Sequence, residues 1–189
     1  MQNIEPISKR DTIYRAEEDQ NSPFFGRKYH LTLCHNTVYN YYIHPQWDEF
    51  GSSTLYLKLL YADYKQGFCI IELMGEWNDC LHNDIMFLKR DVIDLLNLKG
   101  ITRYILIGEN ILNFHSDTDD YYQEWFDDIE DGWIAAINFR DHVVDEFKKA
   151  RLDYYMMFGG RFNEVPWRTL SPQKLFNTLD QLITKRLNP

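Results

Sequence analysis

From residue 55 onward, the sequence alternates short apolar runs of strand length with longer stretches in which apolar residues recur at helical period. The clearest of these stretches has an N-cap candidate at Asn83 or Asp84 and a stop signal at Gly100. Its apolar stripe consists of Ile85, Leu88, Val92, Leu95 and Leu96. Comparable stretches cover 119–130, 143–150 and 172–183. Helices that separate strands in this way are typical of βα units, whose strands form a parallel sheet.

Apolar or alternating runs predict five strands in the same part of the chain. These strands cover 55–59, 68–74, 104–107, 133–139 and 154–158. Two earlier runs, 29–34 and 38–44, flank a turn at 35–37 and predict a hairpin. The predicted fold class is therefore α/β with a mixed sheet, in which an N-terminal antiparallel meander precedes βα units with a mainly parallel core, in the order βαβαβαβα.

The first residues of the chain lack this patterning. They are mostly polar, and an acidic and amide run from Glu17 to Ser22 leads into Pro23. We predict a flexible N-terminal arm over 1–27 and a single α/β domain over 28–189.

Composition excludes several classes of protein. The 189 residues are 44% hydrophobic and 26% charged, which are values of a globular chain. No run approaches the roughly 18 apolar residues of a membrane span, and the N-terminus lacks the layout of a secretory signal, so we expect a cytoplasmic protein without a membrane partner. The net charge of −9 without a Lys/Arg cluster disfavours nucleic acid as a partner. Three cysteines without C-x-x-C spacing disfavour a disulfide framework or a zinc site, and we predict no cofactor and no metal.

Catalytic candidates follow from the rule that ligands bind beyond the carboxyl ends of parallel strands. No dinucleotide, P-loop or nucleophile-elbow motif occurs, so position alone singles out Glu76, Cys80, Glu109 and Arg161. Glu76 and Glu109 each follow a strand and would form an acid–base pair if those strands are neighbours. Cys80 precedes a helix start that would stabilise a thiolate. Two solvated glutamates and a cysteine that serves only packing are the open alternatives.

A possible anion site is predicted after the run 154–158. Gly159 and Gly160 would offer backbone N–H groups beside the guanidinium of Arg161. A tight turn that requires positive φ is the alternative for the same glycines.

The acidic residues are concentrated in the segment 117–131, which has no Lys or Arg. The segment carries eight of the 29 acidic residues, which leaves 21 against 20 basic residues in the rest of the chain. Like charges on one helix repel one another and destabilise it. A sequence that keeps such an unfavourable charge pattern is a candidate for a functional segment. As a docking surface for a protein partner, it would use Asp120, Glu124, Trp125, Asp127 and Asp128. A cation site that includes His115, or a solvated helix face with its aromatic residues turned inward, is the alternative.

From about residue 54, the order of elements resembles that of the anti-sigma-factor antagonist (STAS) domains. An Asp-Ser-Ser-Gly-like segment, expected at the start of the regulatory helix of such a domain, is absent from 78–84 and 110–118, so the resemblance implies no phosphorylatable residue. The predicted function is a non-enzymatic regulatory or interaction module that binds a protein partner or a second copy of itself. A small hydrolase or transferase with its site at the strand ends is the alternative.

Overall fold

A computed structural model describes residues 5–6, 13–30 and 34–187. For residues 186 and 187 it describes the backbone alone. The strands are β1 (Thr37–Val38), β2 (Tyr41–Tyr42), β3 (Leu55–Asp63), β4 (Phe68–Asn78), β5 (Arg103–His115) and β6 (Trp133–Ile137). The helices are α1 (Asp79–His82), α2 (Asp84–Leu88), α3 (Asp94–Asn97), α4 (Asp120–Asp128), α5 (Asp141–Lys149) and α6 (Pro172–Leu187). A π turn at Lys89–Ile93 joins α2 to α3.

The main sheet has the strand order β3-β4-β5-β6. β3 is antiparallel to β4, whereas β4, β5 and β6 are parallel. The predicted α/β fold class with a mixed sheet is therefore confirmed, including the antiparallel strand on its N-terminal side. β4 and β5 run several residues beyond the predicted ends, and β5 continues through Gly108, which we expected to end it.

The sheet is covered by helices on both faces, and each face has its own core. The successive residues Phe68, Cys69, Ile70 and Ile71 of β4 point alternately to the two sides. One core holds the buried residues of α2, α3, α4 and α5, and the other holds those of α6. A strand that is buried on both faces has a continuous apolar sequence, and residues 68–71 show this pattern.

The stripe predicted along the first helical segment is confirmed except at one position. Ile85, Leu88, Val92 and Leu96 are buried, but Leu95 is exposed. A π turn holds one extra residue, so the residues after it are rotated by about 100° from their places in a continuous α-helix. That rotation turns Leu95 toward solvent.

The strand predicted at 154–158 is wrong. Only Met157 pairs with β6, donating its N–H to the Ile134 carbonyl and accepting a hydrogen bond from the Ala136 N–H, both at 2.8 Å. Met156 and Phe158 still turn into a core, so the burial alternates as in a strand although the ladder of hydrogen bonds does not form. On the opposite edge of the sheet, a similar single bridge joins Asp48 to Leu57 of β3. Short bridges of this kind blunt the two edges against pairing with other chains.

The predicted N-terminal hairpin lies elsewhere in the sequence. Of the predicted strand 29–34, residues 31–33 lie outside the described residues, and the described remainder is irregular. The observed hairpin pairs β1 with β2 across a two-residue turn, in which Tyr39 and Asn40 have φ of 50° and 64°. Positive φ at both positions is the type I′ geometry that matches the twist of a hairpin.

Residues 13–27 belong to the flexible arm predicted for 1–27, which stays a prediction. They form successive turns, and Ala16 and Phe24 are buried in the core that also holds α2 to α5. Burial of this kind holds these residues on the domain, while the boundary at residue 27 stays a prediction. Among the described residues, none of the helices has the length and apolarity that a crossing of the bilayer requires.

Candidate functional site

Polar side chains meet at the carboxyl ends of β4 and β5, where the rule for open sheets expects a ligand. Glu76, which is mostly buried, accepts hydrogen bonds from the Tyr39 hydroxyl and, at 3.4 Å, from Nδ2 of Asn78. Its Oε1 also lies 3.3 Å from Nε2 of His115, the last residue of β5. We call Tyr39, Glu76, Asn78 and His115 the strand-end cluster. Its components come from a hairpin and two parallel strands, so only the tertiary fold brings them together.

The hairpin above this cluster presents aromatic residues to solvent. The exposed fractions of Tyr39, Tyr41 and Tyr42 are 54%, 64% and 47%. Positive φ is uncommon for a residue as large as Tyr39, and its hydrogen bond to Glu76 helps to hold it there. The hairpin itself packs on the sheet through Val38 and Ile43. The tyrosines are therefore displayed by an anchored hairpin.

Cys80 lies beside the strand-end cluster. Its exposed thiol donates to the carbonyl oxygen of Ser116, the residue after His115, at 2.7 Å. His82, a potential base two residues further along the chain, contacts the Ser53 hydroxyl at 3.2 Å. The structure thus shows no pairing between this thiol and that imidazole, and a nucleophilic role for Cys80 stays a prediction.

Glu109 is held apart from Glu76. It accepts hydrogen bonds from Nε1 of Trp167 at 2.7 Å, from Nδ2 of Asn138 at 3.2 Å and from Nε of Arg168 at 3.2 Å. None of these groups is a partner of Glu76, and the acid–base pair of Glu76 and Glu109 stays a prediction. Burial alone would raise the pKa of Glu109, but these hydrogen bonds outweigh it and lower the pKa. A carboxylate that is fully occupied and kept ionised fastens the segment after α5 to the sheet.

Arg161 lines a cavity to which no residue of the strand-end cluster contributes. This surface cavity of about 340 Å³ is also lined by Gly159, Gly160, Phe162 and residues of α6 that include Lys185. Both glycines have positive φ, as the tight-turn alternative required. The anion site at Gly159, Gly160 and Arg161 stays a prediction.

The acidic segment is partly neutralised by two residues of the π turn. The Lys89 side chain is fully buried, and its Nζ contacts Asp94, Asp128 at 2.8 Å and Glu124 at 3.4 Å. Arg90 binds both carboxylate oxygens of Glu124, at 2.5 and 2.7 Å. The Arg90 hydrogen bonds lower the pKa of Glu124, so that acid stays charged. Two of the five residues assigned to partner docking are therefore already engaged within the fold.

Trp125 is a clear correction to the predicted docking surface. A docking surface requires Trp125 to be exposed, but Trp125 is fully buried against Tyr104, and its neighbour Phe126 is the exposed residue. The two choices differ by one residue, which is a rotation of about 100° around the helix. Burial of the larger indole removes more apolar surface from water, and this decides the orientation of α4. Docking at Asp120, Asp127 and Asp128 stays a prediction.

Sequence reasoning missed a set of buried charges on the α6 side of the sheet. Lys58 of β3 and Glu72 of β4 are cross-strand neighbours, and both are buried. Lys58 forms an ion pair with buried Asp48 at 3.4 Å, and Glu72 accepts a hydrogen bond from Asn110 at 3.3 Å. The sequence contained a signal for these charges, because Lys58 and Glu72 each interrupt an apolar strand run. A charged residue that is buried within such a strand requires a buried partner.

Metal binding finds no support in this geometry. Over the residues that the structure describes, no three His, Cys, Asp or Glu side chains are grouped closely enough to hold an ion.

Comparisons with known proteins give no match of the sequence and a similarity to a solved structure. No protein family model matches the sequence, and no curated protein is a significant match. Among solved structures, the chain is similar to the crystal structure of a "putative anti-sigma factor antagonist" from Thermotoga maritima, with 16% sequence identity and a TM-score of 0.39. The similarity covers 53% of this chain and 80% of that chain. Function is therefore inferred from this chain's own residues.

Proposed function

We propose that this chain is a non-enzymatic cytoplasmic interaction module, and that its contact surface is the tyrosine hairpin above the strand-end cluster. The observation that carries the proposal is the set of three tyrosines, Tyr39, Tyr41 and Tyr42, that are about half exposed or more on an anchored hairpin. Tyrosine offers a large contact area with few rotatable bonds and is enriched at protein interfaces. The partner is another protein or a second copy of this chain.

The anchoring of the hairpin supports this assignment. Tyr39 is tied to Glu76, and Glu76 to the β5 residue His115, so the exposed rings lose little conformational freedom when a partner binds. Three free cysteines, Cys34, Cys69 and Cys80, support a location in a reducing compartment such as the cytoplasm.

Photocrosslinking tests the contact surface directly. With p-benzoylphenylalanine in place of Tyr41 or Tyr42, we expect a specific crosslinked product in the native cell, because these rings would lie inside the interface. Tyr154 is the matched control, since its ring is 61% exposed but belongs to a turn after α5. Equal crosslinking from all three positions, or none from the hairpin, would contradict the proposal.

Sedimentation of the purified chain distinguishes a second copy from another protein. Self-association would raise the average mass with concentration, and the double substitution Tyr41→Ser and Tyr42→Ser would abolish the increase while Tyr154→Ser would not. A mass that stays that of one chain assigns the hairpin crosslink to a different protein.

The second candidate is a hydrolase or transferase at the strand ends. The contact between the Glu76 carboxylate and the His115 imidazole at 3.3 Å favours it, because such a pair can move a proton. If the candidate holds, hydrolysis of p-nitrophenyl acetate or p-nitrophenyl phosphate should fall at least about 100-fold in Glu76→Gln, which keeps the shape but removes the base. Glu130→Gln, at an exposed position without a role in the cluster, is the control. Equal rates for the wild type and Glu76→Gln would exclude the enzyme at this site.

A further inference from the structure

A surface cavity of about 530 Å³ opens beside the N-terminal turns and β3, away from the strand-end cluster. Its described lining comprises Pro6, Tyr14, Arg15, Ala16, Glu17, Arg27, Lys28, Tyr29, Gln46, Lys58, Leu59 and Leu60. Four of these side chains are cationic and one is a carboxylate, in a chain whose net charge is −9. The sign of the charge in this cavity is thus opposite to that of the protein.

The cations of the cavity are not equally neutralised. Arg15 pairs with Glu17 at 2.9 Å and with Glu18 at 2.6 Å. Arg27 and Lys58, in contrast, share the single carboxylate of Asp48, at 3.2 and 3.4 Å. The lining of the cavity therefore holds more cations than carboxylates.

Asp48 itself is poorly suited to compensate both cations. It is fully buried, and burial raises its pKa even though Lys58 and the hydrogen bond from Tyr29 act in the opposite direction. Glu72, the cross-strand neighbour of Lys58, binds Asn110 toward β5 and does not line the cavity. The buried ammonium of Lys58 therefore lies in a setting where a further anion would stabilise it.

The remaining walls of the cavity combine Gln46 with apolar and aromatic side chains. The Tyr29 ring lies 3.7 Å from Nζ of Lys58, measured to its centroid, and the Tyr14 ring packs edge-on against Tyr61. Leu59 and Leu60 provide aliphatic surface. Pockets for small molecules typically have about 300 to 1,000 Å³, mostly apolar walls and a few convergent polar groups.

We propose that this cavity binds a small organic anion, with its carboxylate or phosphate on Lys58 and Lys28 and an aromatic or apolar body against Tyr14 and Tyr29. The site is independent of the tyrosine hairpin, so either assignment can hold without the other. Lys28 is exposed at the rim, whereas Lys58 is buried at the wall.

Titration of the full-length protein at low ionic strength tests the site with three probes of one size. Phenyl phosphate and benzoate carry the anionic group, and benzyl alcohol is their neutral counterpart. We expect saturable binding of at least one of the two anions by calorimetry or NMR, with no saturable binding of the alcohol. Lys58→Met should weaken anion binding at least about tenfold, since a buried charge-assisted hydrogen bond is lost.

A second variant keeps the test decisive if Lys58→Met fails to fold. Lys28→Gln alters only the exposed rim and should weaken binding about threefold. Lys99→Gln, an exposed lysine after α3, is the control and should leave the affinity unchanged. Absence of saturable binding for both anions, equal binding of the alcohol, or full affinity in every folded variant of Lys58 and Lys28 overturns the site.

Discussion

Replacement of Lys89 by methionine should lower the free energy of unfolding by about 3 kcal/mol. The Lys89 side chain has no exposed surface, and its ammonium is shared by Asp94, Glu124 and Asp128. Burial alone would lower the pKa of Lys89, but the hydrogen bonds that it donates to Asp128 and Asp94 raise the pKa, so the group stays charged. Methionine preserves most of the volume but leaves the acids of α4 and α3 without their common cation.

The size of this effect follows from the partial exposure of the acids. Their side chains keep 29%, 38% and 46% of their surface in water, so the uncompensated charges cost less than fully buried ones. Urea unfolding at constant pH measures the change, and Lys99→Met, an exposed lysine without these partners, is the control. A loss equal to that of Lys99→Met would show that the ion pairs of Lys89 contribute nothing to stability.

Neutralising the acids of the segment 117–131 should destabilise the chain at one position and stabilise it at others. Asp128→Asn removes a partner of Lys89 and should destabilise the chain. Asp127→Asn, Glu130→Gln and Asp131→Asn, at exposed positions near the end of α4, should together stabilise it at low salt, because negative charge is unfavourable at a helix C-terminus. Thermal unfolding at low and high salt measures both changes, and identical effects of the two sets would contradict the division.

Replacement of Asp79 by asparagine should change how stability depends on pH. Asp79 is almost fully buried, and burial raises its pKa from 3.8 to about 6, against the lowering effect of hydrogen bonds from Tyr122 and the Ile85 N–H. The folded state therefore holds this proton more tightly than the unfolded chain does. The stability contributed by the group is present below about pH 4 and is lost as the pH rises through about 6.

Asparagine carries no charge at any of these pH values, so it removes this loss. The stability of Asp79→Asn relative to the wild type should increase by about 2 kcal/mol between about pH 4 and about pH 7. The amide can keep the hydrogen bonds from Trp77 and Ile85 on its oxygen, while the Tyr122 hydroxyl rotates to accept from its nitrogen. Unfolding in urea across this range measures the difference, with Asp153→Asn, an exposed carboxyl, as the control. A difference that does not vary with pH would show that Asp79 titrates normally in the folded state.

Local patterns predicted most of the helices and strands of this chain. The stripe that begins at Ile85 and the apolar run that begins at Leu55 each report burial along one element. Predictions failed where one local pattern was compatible with two different structures. Trp125 and Phe126 both fit a helical stripe, and the run 154–158 alternates in burial although only Met157 pairs.

The candidate site residues contact partners that no local sequence pattern predicts. Glu76 and Cys80 come from the end of β4 and the start of α1, and His115 from the end of β5, so the register of two parallel strands brings them to one edge. Glu109 also belongs to β5, but its side chain is bound by the segment after α5.

The amino-acid sequence by itself determined the fold class of this protein, because hydrophobic period is a local property that each element expresses separately. Only the tertiary structure decided which charges are free to act. Lys89 neutralises acids that lie 35 and 39 positions later, and Lys58 forms an ion pair with Asp48, which lies outside the strand. Such pairings depend on distances of a few ångströms between elements that are remote in sequence, and folding alone sets those distances.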